Sequence, residues 1–376
     1  MAQGFDANGI VNNRKIPTLK VTQDNNEKVV GKQPAGLNTG PNASSLEKLF
    51  AWVYPPDSEY YWYREGLIAP SKLSDKFKNM TLYFLLSGMA GSGVLMGVLV
   101  YGLSVFLSIV QTISGIDTDM EPTYMALVDK PWFFMMMCLI SGSITVSAYY
   151  FGASRIEKAF NNDLKGQEAN WKCQPNRQLS ELHHAEEVFW GCLNAFVAGV
   201  VGMGMFMYHL NHPFLKFYYD VSTRGWLHFA WSFALVFFWI DIWAYWAHRT
   251  LHKKIIYKHI HKWHHRYLAP TAFSSFAMHP LEFVFFQTGG VLCCMLFEIH
   301  IMAFFAVVSV ISYHGQVDHS GIWFEGEFPW QPSTMFHDNH HEFFHTNFGQ
   351  NLVLWDWVFG TLRKKKEKYG EDVFVG

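Results

Sequence analysis

The chain has little of what marks small secreted folds or nucleic-acid binders. Its 376 residues contain only five cysteines. Cys138, Cys173, Cys192, Cys293 and Cys294 sit mostly inside apolar runs and show neither zinc-knuckle nor disulfide-framework spacing, so they read as small buried residues. An excess of one charge is also missing. The formal net charge is -2 and the basic residues are scattered through short loops, which leaves no continuous cationic surface, and nucleic acid is not an expected partner. The first 43 residues, rich in Asn, Gln, Lys and Gly, lack the apolar core of a cleavable signal and are expected to form a disordered tail. No internal repeat is apparent.

What is abundant is apolar. Half of the residues are hydrophobic and 18% are aromatic, and several uninterrupted runs exceed an ordinary core helix, which indicates an integral membrane protein. Ser44 and Glu47 have capping-box spacing ahead of a short helix stopped by Pro55 and Pro56, and Tyr60 to Tyr63 suit a headgroup layer. The run from about Met80 to Val110 carries no charge; at 1.5 Å per residue it could reach roughly 46 Å against a hydrocarbon core of about 30 Å. Further runs cover about Trp132 to Phe151, Val188 to Met207 and Trp226 to Trp246. Leu281 to Tyr313 is apolar apart from Glu282, Glu298 and His300, and each half is short for a span, so a shallow hairpin is expected there. Lys72, Lys76, Lys78, Arg155 and Lys158 flank the first two runs, and Arg363 to Lys366 come after the last elements, which places these ends in the cytosol. The expected fold is an all-α polytopic membrane protein with about four spanning helices, a shallow hairpin and a cytosolic histidine-rich helical cap. Residues 44–230 would hold the interfacial and transmembrane helices, 231–364 a catalytic domain and 365–376 a tail.

Fourteen of the 19 histidines lie between His248 and His345. His248 and His252 are four apart and share a helix face with Asp241 and Tyr245. A buried carboxylate in a spanning helix costs at least about 2.5 kcal/mol unless paired, so Asp241 is expected to orient a ligand histidine; a helix cap or a pair with Arg249 is the alternative. His261, His264 and His265 repeat the pattern, as do His337, His340 and His341. On a straight helix His261 would face away from His252, so a turn or kink is predicted between Lys253 and Ile260. His314 and His319, beside Asp318, could complete the shells. Ten imidazoles are too many for one ion, which favours two metals with about five nitrogens each; iron, zinc and copper all suit imidazole. His279, before Pro280, is a candidate for supporting a ligand from behind. His183 and His184, beside Glu186 and Glu187, read as a hydrated loop, and His259 and His300 stay outside the pattern.

The same residues admit two rival readings. His341-Glu342-x-x-His345 fits the short zinc-protease signature, in which two histidines hold the ion and the glutamate activates water, but it leaves five upstream histidines without a role. Glu342-x-x-His345 also matches half of a carboxylate-bridged di-iron motif, which keeps His345 as a weak ligand candidate. A metal transporter would need polar ligands at mid-membrane, and the first three apolar runs offer almost none.

Asp241-x3-Tyr245-x2-His248-Arg249-x2-His252, Tyr257-Lys258-x2-His261-Lys262-x-His264-His265 and His337-x2-His340-His341 together resemble the three histidine boxes of the fatty acid hydroxylase and sterol desaturase superfamily of membrane di-iron oxygenases. Asn347-x-Gly349 and Trp355-Asp356-x2-Phe359-Gly360-Thr361 are similar to the segment closing that catalytic domain. Pro270-Thr271-x-Phe273 looks like sterol desaturases acting on ring B, while His279-Pro280-Leu281-Glu282 and His319-Ser320-Gly321 look more like methylsterol monooxygenases. The resemblance implies metal ligation by His248, His252, His261, His264, His265, His319, His337, His340 and His341. His314 is carried with them, although the gap from His314 to His319 is one residue longer than in family members with such a pair. It further implies two iron ions (with zinc possible in purified samples), O2, and electrons from NAD(P)H through a reductase and a b-type cytochrome, since this chain has no haem or nicotinamide fingerprint of its own. The chemistry would lie at the metal pair, with no protein side chain assigned a catalytic role. Sterol desaturation or hydroxylation at the endoplasmic reticulum leads, with squalene epoxidation and fatty acyl hydroxylation as runners-up.

Overall fold

A computed structural model describes residues 130–161, 172–323 and 332–363. The expected tail, the aromatic segment at Tyr60 to Tyr63, the run from Met80 to Val110 and the basic C-terminus lie outside the described residues.

The chain is an all-α, multi-pass membrane protein. Helix α1 (Pro131–Asn161) and α2 (Glu181–Asn211) pack side by side, and α3 (Gly225–Leu251), α4 (Pro280–Leu296) and α5 (Ile301–His319) come after them in the chain. Four of the described helices are long and apolar enough to cross a membrane: Pro131–Lys158, Glu181–Asn211, Gly225–Leu251 and Ile301–His319. Outward-facing Phe151, Phe189, Leu227 and Trp231 are more than half exposed, as lipid-facing side chains must be once water is replaced by hydrocarbon.

The hairpin made by α4 and α5 is deeper than its sequence suggests. Its tip carries β2 (Ile299–His300), which pairs in parallel with β1 (Phe217–Tyr218) in the α2–α3 connection. Arg224 at the start of α3 also donates to Glu298 at 2.7 Å. The tip therefore lies level with the far end of α3, a helix about 40 Å long at 1.5 Å per residue. The two charges that break the apolar run, Glu298 and His300, belong to this end: the first is ion-paired, and His300 caps α5 by accepting from Met302 N.

Near the other end, three side chains suspend one loop from the first two helices. Tyr149 donates to the Phe273 carbonyl at 2.6 Å, and Asn194 donates to those of Phe276 and Met278 at 2.8 and 2.9 Å. Glu187, fully buried, accepts from Thr271, Ser274 and His184. His183 and His184 thus lie in the first turn of α2, capped by Ser180, and not in a hydrated loop. The capping signal was hidden because a helix continuing into a span also starts with polar residues.

Candidate metal centre

The histidines reach one place because the chain bends where a continuous helix would have turned them apart. α3 ends at His252, Lys253 is extended (φ -64°, ψ 129°), and a short helical piece (Lys254–Ile256) leads into a π-type turn over Tyr257–His261 and a last turn over Lys262–His265. The break lies where the kink was expected. The extra residue of a π turn rotates the helical turn after it. Tyr257, His261, His264 and His265 consequently face inward, while Lys254, Lys258 and Lys262 face out. Helix α6 (Thr334–Phe343) supplies the last three histidines, and left-handed Phe344 (φ 64°) stops it.

Nine imidazoles form two adjoining groups. His248, His252, His261, His265 and His340 make one, and His264, His319, His337 and His341 the other; within each, one ligand atom per residue lies within 4.8 Å of all the rest. Sequence neighbours His264 and His265 divide between the groups, as do His340 and His341, so the two are held side by side. The His265 and His341 rings are 4.9 Å apart. All nine are at most 9% exposed.

The ring nitrogens show what this arrangement can hold. Nδ1 donates to the Phe348 carbonyl from His248 (2.9 Å), to Glu282 from His261 (2.6 Å), to Ala277 from His264 (3.3 Å), to Gly315 from His319 (2.6 Å) and to Thr346 from His340 (2.7 Å). Four of these acceptors are backbone carbonyls, which carry no proton, so in His248, His264, His319 and His340 Nε2 is left with its lone pair pointing inward. His264 and His319 then face each other, lone pair to lone pair, at 3.3 Å. His265 Nε2 lies 3.0 Å from that of His261 and 3.1 Å from those of His252 and His340, and one proton could satisfy only one of these contacts. A cation in each group removes the repulsion. With metal–nitrogen bonds of about 2.1 Å, neighbouring ligands at right angles sit ~3.0 Å apart, as around His265 in the five-histidine group, whereas tetrahedral ligands would be ~3.4 Å apart. The five-histidine group therefore fits a five- or six-coordinate ion better than tetrahedral structural zinc. Both ring nitrogens of buried His341 lack a hydrogen-bonding partner among the described residues, and a bound ion would occupy one of them.

Burial keeps these rings unprotonated. It lowers the pKa of His252, His261, His265, His337, His340 and His341 well below the usual imidazole value, with neighbouring imidazoles adding to the effect, and takes His264 down to about 4. All seven are neutral at physiological pH, the form in which an imidazole can bind a metal.

Five of the residues singled out in the sequence do something else. Asp241 touches no imidazole: it accepts from Asn351 N and Nδ2 (both 3.0 Å) and from Trp355 Nε1 (2.7 Å). It shares the stripe of His248 but lies two turns, about 10 Å, farther along the axis. Tyr245 bonds Thr361 (2.9 Å) and receives Arg249 (3.0 Å). His279 caps α4 by accepting from Leu281 N and meets Trp263 edge-on. His314 stands outside both groups with Nδ1 3.1 Å from Asp318. Five residues along a helix amount to about 140° of rotation, so His314 and His319 face different ways and Asp318, at i+4, takes the contact. Asp318 is thus a partner of His314 and is not seen on a clustered imidazole.

Glu282 and Asp356 were missed. Glu282 is fully buried and holds His261 from behind. Asp356 accepts from Phe348 N, Gly349 N and the Thr361 hydroxyl, fixing the loop whose carbonyls receive His248 and His340; burial lifts its pKa to about 6. A Cβ at Gly349 would lie 2.6 Å from the Leu352 carbonyl, so glycine is required there. A sign of Glu282 was available in the sequence, as one of two carboxylates in an otherwise apolar hairpin. The protease reading loses its geometry: α6 ends before His345, which joins neither group, and Glu342 lies 3.7 Å from Arg177.

A multi-pass helical protein carrying a twinned, all-imidazole, metal-compatible centre is the class that fold and site define. Residues 233–361 match the family model for Fatty acid hydroxylase, so the likeness of the boxes extends across the whole segment from α3 to the closing turn. Among curated proteins the chain is 33% identical to the C-4 methylsterol oxidase of Schizosaccharomyces pombe over 144 residues (35% of this chain, 47% of that protein). It is 30% identical to lathosterol oxidase of Rattus norvegicus over 152 residues (39% and 51%) and 31% identical to Delta(7)-sterol 5(6)-desaturase of Candida glabrata over 164 residues (43% and 44%). The chain spans about half the length of the curated relatives it matches. No solved structure matches it.

Proposed function

We propose that this protein is a membrane-bound non-haem di-iron oxygenase that uses O2 and two electrons to desaturate or hydroxylate a sterol or sterol precursor. One observation carries the reading: groups of five and four buried imidazoles, each group with one ring nitrogen per residue converging, adjoin at the end of the apolar helices. His248, His252, His261, His265 and His340 would hold one ion, and His264, His319, His337 and His341 the other. Iron held there supplies the activation of oxygen toward an unactivated C–H bond. The protein's own part is to keep the ligands unprotonated, to fix each ring through its Nδ1 partner and to exclude water from the site.

The names of the relatives support a sterol as substrate, and helices apolar enough to span a bilayer place the protein where such a molecule dissolves. Electrons would arrive from NAD(P)H through a reductase and a b-type cytochrome. The outward lysines 254, 258 and 262 beside the centre support a cytosolic position in the endoplasmic reticulum membrane.

The test is expression in two hosts, one blocked in sterol C-5 desaturation and one in C-4 methyl oxidation, with sterols read by mass spectrometry. Wild type should convert the accumulated sterol in one of them, and His248→Ala should abolish conversion while the protein still accumulates. Unchanged sterols in both hosts would remove the sterol assignment, and new squalene or fatty acyl products would replace it.

A further inference from the structure

Residues 233–361 contain all nine clustered imidazoles, yet one of them is aimed by a residue outside that segment. His264 is oriented by its Nδ1–H bond to the Ala277 carbonyl. Ala277 closes a short 3-10 turn (Ala272–Phe276), and its own N–H is spent on Ser274. The N–H of the same peptide unit, that of Met278, donates to Phe276 O at 2.9 Å, and the carbonyls on either side of Ala277 are both clamped by one side chain. Asn194 Nδ2 donates to Phe276 O and to Met278 O, at 2.8 and 2.9 Å. Asn194 is 2% exposed and lies in the middle of α2, a helix long and apolar enough to span the membrane. A buried amide at such a position is costly unless fully used, and here its two N–H groups are both used on the loop.

The two groups of histidines are therefore braced from different places. Glu282 and the carbonyls of Thr346 and Phe348, all inside the matched segment, brace the five-histidine group. The four-histidine group depends in part on α1 and α2: besides Asn194, Gln316 in α5 donates to the Tyr149 carbonyl, one turn before His319.

We propose that Asn194 is a positioning residue for the four-histidine site, setting the direction of the Ala277 carbonyl and through it the imidazole of His264. This rests on the reading of the nine imidazoles as two metal sites. Loss of such a supporting contact typically lowers metal affinity by about 10–100-fold, and here the loss should fall on one ion of the two.

The experiment compares full-length wild type, Asn194→Ala, Asn194→Ser and Tyr149→Phe in detergent, each titrated with Fe(II) under anaerobic conditions. Bound iron is counted by elemental analysis and resolved by Mössbauer spectroscopy with enriched iron. Wild type should bind two ions. Asn194→Ala should bind one tightly and the other about 10–100-fold more weakly, with one Mössbauer component lost. Asn194→Ser, with a single hydroxyl donor, should fall between. Tyr149→Phe removes a donor to Phe273 O in the same loop but leaves the peptides beside Ala277 clamped, so it should keep both ions and marks the effect of loosening alone. Two ions of unchanged affinity and spectrum in Asn194→Ala would overturn the proposal, as would equal weakening of both ions or the same loss in Tyr149→Phe. Wild type that binds no iron would instead overturn the reading on which it rests. If Asn194→Ala does not accumulate, Asn194→Ser carries the comparison.

Discussion

A carboxylate enclosed by apolar side chains must be neutral, paired or costly, and at Glu282 it is paired. Its Oε1 accepts from His261 Nδ1 at 2.6 Å, in a place where neither side chain is more than 1% exposed. The pair does two things to the imidazole. It holds the ring in place, and burial raises the Glu282 pKa well above the usual carboxyl value, so it is a cation in the adjoining group that would draw the carboxyl into its ionised form, fix the tautomer that leaves Nε2 free for metal and make that nitrogen a stronger ligand. Glu282→Leu fills similar space and removes both effects, leaving a buried N–H without an acceptor. We expect bound iron in the five-histidine group to weaken by about 10–100-fold, with Glu282→Gln falling between because its amide oxygen still accepts. Iron stoichiometry of the purified variants checks this; full retention in Glu282→Leu would show that His261 does not need its partner. The same physics separates Glu282 from Asp241. Both are fully buried, and a carboxylate in an apolar run is visible in a sequence, but its partner is not. Asp241 shares a helical stripe with His248, yet distance along the axis gives it to Asn351 and Trp355, more than a hundred residues away in the chain.

The element that converts sequence spacing into a chamber is the interrupted helix after α3. Spacings of three and four identify faces, so the three histidine clusters and the need for a bend between Lys253 and Ile260 were legible from the residues alone. The form of the bend was not, because a π turn differs from an α turn by a single residue and no side chain announces it. The division into five and four was equally hidden. It depends on His264 and His265 pointing to different sides, and that is fixed by a carbonyl at Ala277 and by neighbouring Nε2 atoms contributed from α3 and α6. Deleting His259, an exposed residue within Tyr257–His261, should turn the π turn into α and rotate His261, His264 and His265 by about 100° relative to α3. The expected result is a protein that inserts in membranes but binds no iron, whereas His259→Ala should bind as wild type does. Iron content of the two proteins side by side measures the difference, and a deletion variant with both ions bound would show that the turn does not set the register.

At the scale of the molecule, the two ends of the bundle differ in kind. The far end is closed by a two-residue parallel ribbon and an ion pair of Arg224 with Glu298, and Asp220 accompanies them. The histidine-bearing end carries Arg249 and Lys253, Lys254, Lys258 and Lys262 on one short stretch, with Arg266 just beyond. An excess of Lys and Arg near the ends of spans marks the cytosolic side, so the centre should face the cytosol, where a soluble reductant can reach it. The depth of the α4–α5 hairpin sharpens the test. Because its tip pairs with the α2–α3 connection, the loop around Thr223 should lie on the opposite side of the membrane from Lys254. Four of the five native cysteines are buried, and Cys192 is only partly exposed, within a spanning helix, so their background labelling is low. In sealed microsomes with the cytosolic face outward, Lys254→Cys should react with a membrane-impermeant maleimide at once, and Thr223→Cys only after the membrane is opened. Equal labelling of both before opening would mean that the hairpin and α3 turn back within the bilayer, and the reverse pattern would place the metal centre in the lumen.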